Sequence, residues 1–200
     1  MGQVRTWVGL DPSLTGFGYA VLSKDGPMKP LLRDVGTWAP KIDKNERLVT
    51  HDRARRVAEI GGQLIALLQE HEPLECVYIE GLALGMKTSH LAVQSVGRMR
   101  GLVEGICLAR GLELVEIAPA MLKHIVTGRK NGTKEDVARV VVECYRAGLA
   151  FPSGALDDNA TDALAVAHVG AYRHGSGVTV KSGTIDYRAA AEDDGGMLDI

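Results

Sequence analysis

Three apolar runs rich in β-branched and aromatic residues, "TWVGLDP", "FGYAVLS" and "PLLRDVGTWA", follow one another within the first forty positions, separated only by "SLTG" and "KDGPMK". Connections this short, built from Gly, Pro, Ser and Asp, leave no room for a crossover, so the chain must open with an antiparallel three-strand meander. The hydrophobic period then changes. Across residues 46–70, Val57, Ile60, Leu64, Leu67 and Leu68 recur at helical spacing with Arg53, Arg55, Arg56 and Glu59 largely on the other side, which predicts a long amphipathic helix. "ECVYIEG" (75–81) reads as a short buried strand, "HLAVQSVGRMRGLVEGICLARG" (90–111) as a helix closed by Gly111, and "LELVEIAP" as a fifth strand. Helices are expected at 119–128, at 133–148 with Thr133 as cap, and at 157–173. The order β-β-β-α-β-α-β-α-α-α makes an α/β fold, a mixed five-stranded sheet with the meander followed by parallel strands and helices on its faces.

With 200 residues, 46% of them hydrophobic, the chain can bury one sizeable core. That core is expected in residues 1–173. From 174 to 200 the sequence turns Gly/Ser-rich and then acidic, and a mobile tail is expected there. Cys76, Cys107 and Cys144 stand singly in apolar stretches, which suits buried, reduced thiols of a cytosolic protein and neither a zinc site nor a disulfide framework. No basic region followed by an apolar run opens the chain, and no stretch approaches the ~18 apolar residues of a membrane span. A soluble, cytoplasmic protein without a membrane partner is the expectation.

Net charge is −2, but it is unevenly divided. Residues 174–200 carry two bases against five acids, whereas 87–146 carry ten bases against six, and "HIVTGRKNGTK" (124–134) holds Arg129, Lys130 and Lys134 with no acid. Local sign matters more than the total when a phosphate backbone is bound, although a charge run of this kind also serves as an ordinary solvated loop.

The acids carry the chemistry. Asp11 closes the first strand and Glu80 closes "CVYIE", the strand expected to pair beside it if the long helix makes a crossover. The last helix begins with Asp157, Asp158 and Asn159 and continues to Asp162, where spacing of four sets Asp158 and Asp162 on one face. The rest of that helix, "ALAVAHVGA", must pack on the sheet and so brings its N-terminal acids toward Asp11 and Glu80. Each acid also has a purely structural use: Asp11 as turn former, Glu80 as solvated strand end, Asp157 or Asp158 as N-cap. Asp162 lies past the cap among apolar neighbours, where an unpaired carboxylate costs on the order of several kcal/mol. Converging carboxylates repel unless divalent cations sit between them, and all-oxygen ligation selects Mg2+ or Mn2+. Two such ions, about 4 Å apart, serve in-line displacement at phosphorus. In this reading the glycines after Asp11 let a phosphate backbone approach the turn.

"VGLDPSLTGFGYAVL", "VYIEG", "SVGRMRG", "APAMLKHIVTG…TKEDVARVV" and "DDNATDALAVA" together resemble, in order and spacing over residues 4–173, the RuvC-type Holliday-junction resolvases of the RNase H-like superfamily. The resemblance implies a homodimeric, Mg2+-dependent endonuclease, with two ions per site and Mn2+ able to substitute, that nicks two strands of like polarity across a four-way DNA junction and leaves ligatable ends. It implies Asp11, Glu80 and Asp162 as metal ligands and Lys123 and Lys134 as basic residues facing the scissile phosphate. The helix bearing "GRMRG" resembles the dimer-forming helix, with Gly97 and Gly101 permitting close approach.

Two departures stand out. Where bacterial members carry an acid three residues before the last aspartate, this chain has Asn159, so Asp158 is expected to serve instead, as in phage-type members. The loop "GLALGMKTSH" offers Leu82, Leu84 and Met86 where a base-stacking aromatic is usual, which bears on junction opening and sequence preference.

Alternatives within and outside this class are an RNase H-like nuclease acting on other branched DNA or hybrids, and a catalytically silent junction binder. An actin-like ATPase is set aside because the chain has room for only one half of that fold. Of the six histidines only His124, in the basic segment, is placed to touch phosphate; Trp7 and Trp38 are expected in the core.

Overall fold

The computed structural model describes residues 4–25, 29–81, 90–146 and 156–175. The meander forms as expected from β1 (Val4–Asp11), β2 (Phe17–Asp25) and β3 (Leu31–Trp38), followed by α1 (Val49–Glu70), β4 (Cys76–Glu80), α2 (His90–Ala109), β5 (Leu114–Ile117), α3 (Pro119–Thr127), α4 (Lys134–Tyr145) and α5 (Asp158–Gly175). The sheet runs β3-β2-β1-β4-β5, antiparallel through β1 and parallel from β1 onward. Helix α1 is the connection that carries the chain from β3 across to β4. The expected Gly/Ser-rich and acidic tail lies, from residue 176 on, outside the described residues, as does the Leu82, Leu84 and Met86 loop. None of the described helices is long and apolar enough to cross a membrane.

Strand periodicity sorts the core into two halves. Val8 and Leu10 of β1, with Val77 and Ile79 of β4, face α1 (Ile60, Leu64, Leu67, Leu68) and α2 (Met99, Val103, Cys107). The alternate residues Trp7, Cys76 and Tyr78 face α3, α4 and α5. Continuing the same alternation, Asp11 and Glu80 emerge on the α5 face. The register, Leu10 beside Ile79, makes them neighbours one step further on.

Helix α5 lies unusually close to the sheet, and two glycines make that possible. A Cβ on Gly9 would come within 2.3 Å of the Ala167 nitrogen, and one on Gly18 within 2.0 Å of the Asn159 carbonyl oxygen. Trp7 Nε1 donates to the Ala167 carbonyl at 2.8 Å, fixing the helix from the strand side. The expectation that the glycines after Asp11 clear space for a phosphate backbone is therefore corrected: at Gly18, and at Gly16 against the Asn159 side chain, the cleared space holds the first turn of α5. A second correction concerns the thiols. Cys76 and Cys107 are buried, but Cys144 is exposed, because the face of α4 that packs inward is Val137, Val141 and Tyr145.

Candidate active site

Four elements deliver the charged residues to one end of the sheet. Asp11 and Glu80 are the terminal residues of β1 and β4. Helix α5 is capped by Asp157, whose Oδ1 accepts from the Ala160 amide at 2.9 Å and from Thr37 Oγ1 of β3 at 2.7 Å. With Asp157 spent as cap, Asp158 and Asp162 are free to project along the helix. Asn159 is turned against Gly16. Helix α4 is opened by Thr133 as N-cap in a complete capping box: Thr133 Oγ1 accepts from the Asp136 amide at 3.1 Å, and Asp136 Oδ2 accepts from the Thr133 amide at 3.2 Å. Lys134 is thereby fixed as the first helical residue, and its ammonium reaches Asp162 Oδ2 at 2.9 Å and Asp158 Oδ2 at 3.7 Å.

The electrostatics record the convergence. Asp11 is pushed up to about 7 by burial and by the charges of Asp162 and Glu80, against a smaller opposing pull from Lys134. Glu80 is raised by burial and by Asp162, with Lys123 and Lys134 opposing. Lys134 is held above the usual ammonium range, first by its hydrogen bond to Asp162 and further by Asp158 and Asp11. Asp11 thus feels Asp162 and Glu80, and Glu80 feels Asp162, as like charges, with two lysines as the local counterweight.

Of the six residues singled out by sequence, the structure brings Asp11, Glu80, Asp162 and Lys134 into one electrostatic group, places Asp158 at its rim with an 89% exposed side chain, and sets Lys123 of α3 within range of Glu80. In the 124–134 segment, Arg129 is taken up by Asp136 at 3.4 Å. His168 is buried and bonded to Tyr145.

Sequence reasoning missed Arg100. Its guanidinium donates to the Glu80 backbone carbonyl at 2.6 Å and to Glu116 at 2.5 Å. The signal was an arginine adjoining the inward Met99, Val103, Cys107 face of an otherwise apolar helix.

An all-carboxylate donor set in a half-buried, mutually repelling cluster fits a hard divalent cation. The fit is one of donor chemistry. As the side chains stand, with Lys134 drawn onto Asp162, no group of three or more acids, histidines or cysteines among the described residues is placed to hold a metal ion.

Comparison with known proteins agrees with this architecture. The sequence profile of the family "Crossover junction endodeoxyribonuclease RuvC" matches residues 7–169. The RuvC of Chlorobium phaeovibrioides is 30% identical over 170 residues, spanning 85% of this chain and 82% of that protein. That of Thermomicrobium roseum is 29% identical over 161 residues, 80% of this chain and 88% of the relative. Among solved structures, T. thermophilus RuvC in complex with Holliday junction substrate superimposes with a TM-score of 0.71 at 22% identity, covering 86% of this chain and 96% of that one.

Proposed function

The chain belongs to the crossover junction endodeoxyribonuclease RuvC family, and from that membership we propose that it is a structure-selective DNA endonuclease of the cytoplasm that resolves four-way junctions by paired, symmetric nicks. The observation that carries the reading is the convergence of Asp11 and Glu80, at the neighbouring ends of β1 and β4, with Asp162 of α5 and its partner Lys134 at one end of the sheet.

Asp11, Glu80 and Asp162, with Asp158 as the fourth acid, are the residues that hold two Mg2+ ions, Mn2+ substituting. Asn159 is spent on packing against the β1–β2 turn, which favours Asp158 for the fourth place. The ions, when bound, supply the Lewis acidity that activates water and offsets charge on the attacking and leaving oxygens at phosphorus. The protein's own part is placement. Strand ends and a capped helix start hold the acids and Lys134 on rigid elements. Lys134, paired with Asp162, and Lys123, whose charge acts on Glu80, are the basic residues that would face the scissile phosphate.

Paired nicking calls for two sites, and α2 offers the surface for a homodimer. A Cβ added at Gly97, Gly101 or Gly105 would meet nothing within 4 Å, and Leu108 one turn on is 84% exposed. Residues at this spacing share one face, and small side chains there admit a second helix closely.

The test is cleavage of a synthetic four-way junction at fixed salt. Nicks in two strands of like polarity with Mg2+ or Mn2+, none in EDTA, and loss of cutting with retention of junction binding in Asp11→Asn are the expected results. A wild-type chain that binds the junction but cuts nothing in either metal is a binding protein instead, and preferential cutting of an RNA:DNA hybrid assigns a different RNase H-like specificity.

A further inference from the structure

Arg100 sits on α2 beside the face that Met99, Val103 and Cys107 turn to the sheet, and its side chain is only 7% exposed. A guanidinium withdrawn from water on an apolar face is tolerated only when its donors are matched. Both partners lie at the edge where the acids emerge. Nη1 donates to the carbonyl of Glu80 at 2.6 Å and Nη2 to Oε2 of Glu116 at 2.5 Å. Glu80 ends β4, and Glu116 is paired with its neighbour Ile79 across the β4–β5 ladder. One planar fork therefore ties α2 to two adjacent strand ends. The peptide after Glu80 is held from the opposite side, since the Gly81 amide donates to the Ile117 carbonyl at 2.7 Å. Between them these bonds fix the backbone from which the Glu80 side chain springs.

We propose that Arg100 is a positioning residue: it locks the Glu80 peptide so that this carboxylate is presented to a divalent cation together with Asp11 and Asp162, and it links that acid to the helix whose outer face serves the dimer. The proposal rests on the functional reading above and adds a residue outside the acid and lysine set. Lysine cannot replace arginine here, because a single ammonium on a flexible stem cannot span two acceptors on different strands.

Arg100→Lys and Glu116→Gln test it. Each is compared with wild type for the melting temperature, for junction affinity in EDTA, for the Mn2+ concentration giving half of the metal-induced thermal upshift, and for single-turnover cleavage as Mn2+ is raised. Expected for Arg100→Lys are junction affinity within about twofold of wild type, a Mn2+ half-saturation raised roughly 10–100-fold, and cleavage that recovers as the metal is increased. Glu116→Gln, on a half-exposed side chain, keeps the fold and shifts the half-saturation in the same direction by about threefold. A lost anchor that mattered only for stability would lower the melting temperature and leave metal dependence alone, which overturns the proposal. Should Arg100→Lys fail to fold, Glu116→Gln decides, and an unchanged Mn2+ half-saturation overturns it. A wild-type chain showing neither Mn2+ upshift nor cleavage fails the functional reading and takes this proposal with it; a wild type that cuts beside variants of unaltered metal dependence fails the proposal alone.

Discussion

The ammonium of Lys134 lies 2.9 Å from Oδ2 of Asp162, and the same nitrogen reaches Asp158 at 3.7 Å, so the first residue of α4 is the counterion for the first two turns of α5. In the metal-free protein this cation offsets part of the repulsion among Asp11, Glu80 and Asp162. Lys134→Met should therefore lower the melting temperature in EDTA by a few degrees, with half of the lysine exposed to water and the loss discounted accordingly. Added Mn2+ should raise the melting temperature more in the variant than in wild type, because the ions then supply all of the compensation. Thermal melts with and without Mn2+ check this; equal upshifts in the two proteins would disprove the shared role.

Asp11 gives a pH dependence of opposite sign to that of an ordinary paired aspartate. Its folded-state value is raised to about 7 from 3.8, so the folded protein binds its proton more tightly than the unfolded chain. Stability contributed by the protonated acid is complete below about 3.8, is lost as pH rises toward 7, and leaves a penalty above it. Asp11→Asn removes the charge and should stabilise the metal-free protein at pH 8, by up to roughly 4 kcal/mol as an upper bound from the size of the shift, with the difference vanishing toward pH 4. Urea melts in EDTA across this range measure it. A variant less stable than wild type at pH 8 would contradict the claim that the cluster is electrostatically frustrated.

A second titration involves none of the acids. His168 of α5 is buried, its Nδ1 is 2.9 Å from the Tyr145 hydroxyl of α4, and burial depresses its value from 6.5 to about 4. The unfolded chain therefore takes up the proton first. Stability from this group is fully present above 6.5 and is lost as pH falls through the interval down to about 4, on the order of 3 kcal/mol in all. His168→Gln should flatten the acid limb of the stability profile between pH 6.5 and 4. An acid limb as steep in the variant as in wild type would assign the effect elsewhere.

Much of this was readable before any coordinates. The change from period two to period 3.6 gave the element order, and the crossover through the long helix set Glu80 at the strand end beside Asp11. Spacing of four put Asp158 and Asp162 together, and Thr133 announced the start of α4. What stayed hidden were relations between distant segments. A glycine says that something approaches closely, never what: at Gly18 it is the backbone of Asn159, 141 positions away, and not a ligand. The link from Arg100 to Glu80 spans 20 positions and depends on how α2 lies across the sheet. Cys144 looked buried by its apolar company, yet the inward stripe of α4 passes through Tyr145 beside it.

Because Gly18 governs how closely α5 can approach, it offers a way to move the acids without touching one. An added methyl at this position would lie 2.0 Å from the Asn159 carbonyl oxygen and 3.2 Å from the Ala160 nitrogen, both backbone, so the helix start must shift. The rest of α5 is held further along, by Trp7 Nε1 on the Ala167 carbonyl. The displacement should therefore concentrate in the first turn, where Asp158 and Asp162 sit. Gly18→Ala is expected to cost about 1–3 kcal/mol of stability, as overpacking generally does. Because a misplacement of about 1 Å costs roughly 100-fold in rate, junction cleavage should fall far more than the population of folded protein, with junction binding in EDTA little changed. Single-turnover cleavage and urea melts on the same preparation separate the two effects. A rate loss no larger than the folded fraction accounts for would mean that α5 does not set the geometry of the site.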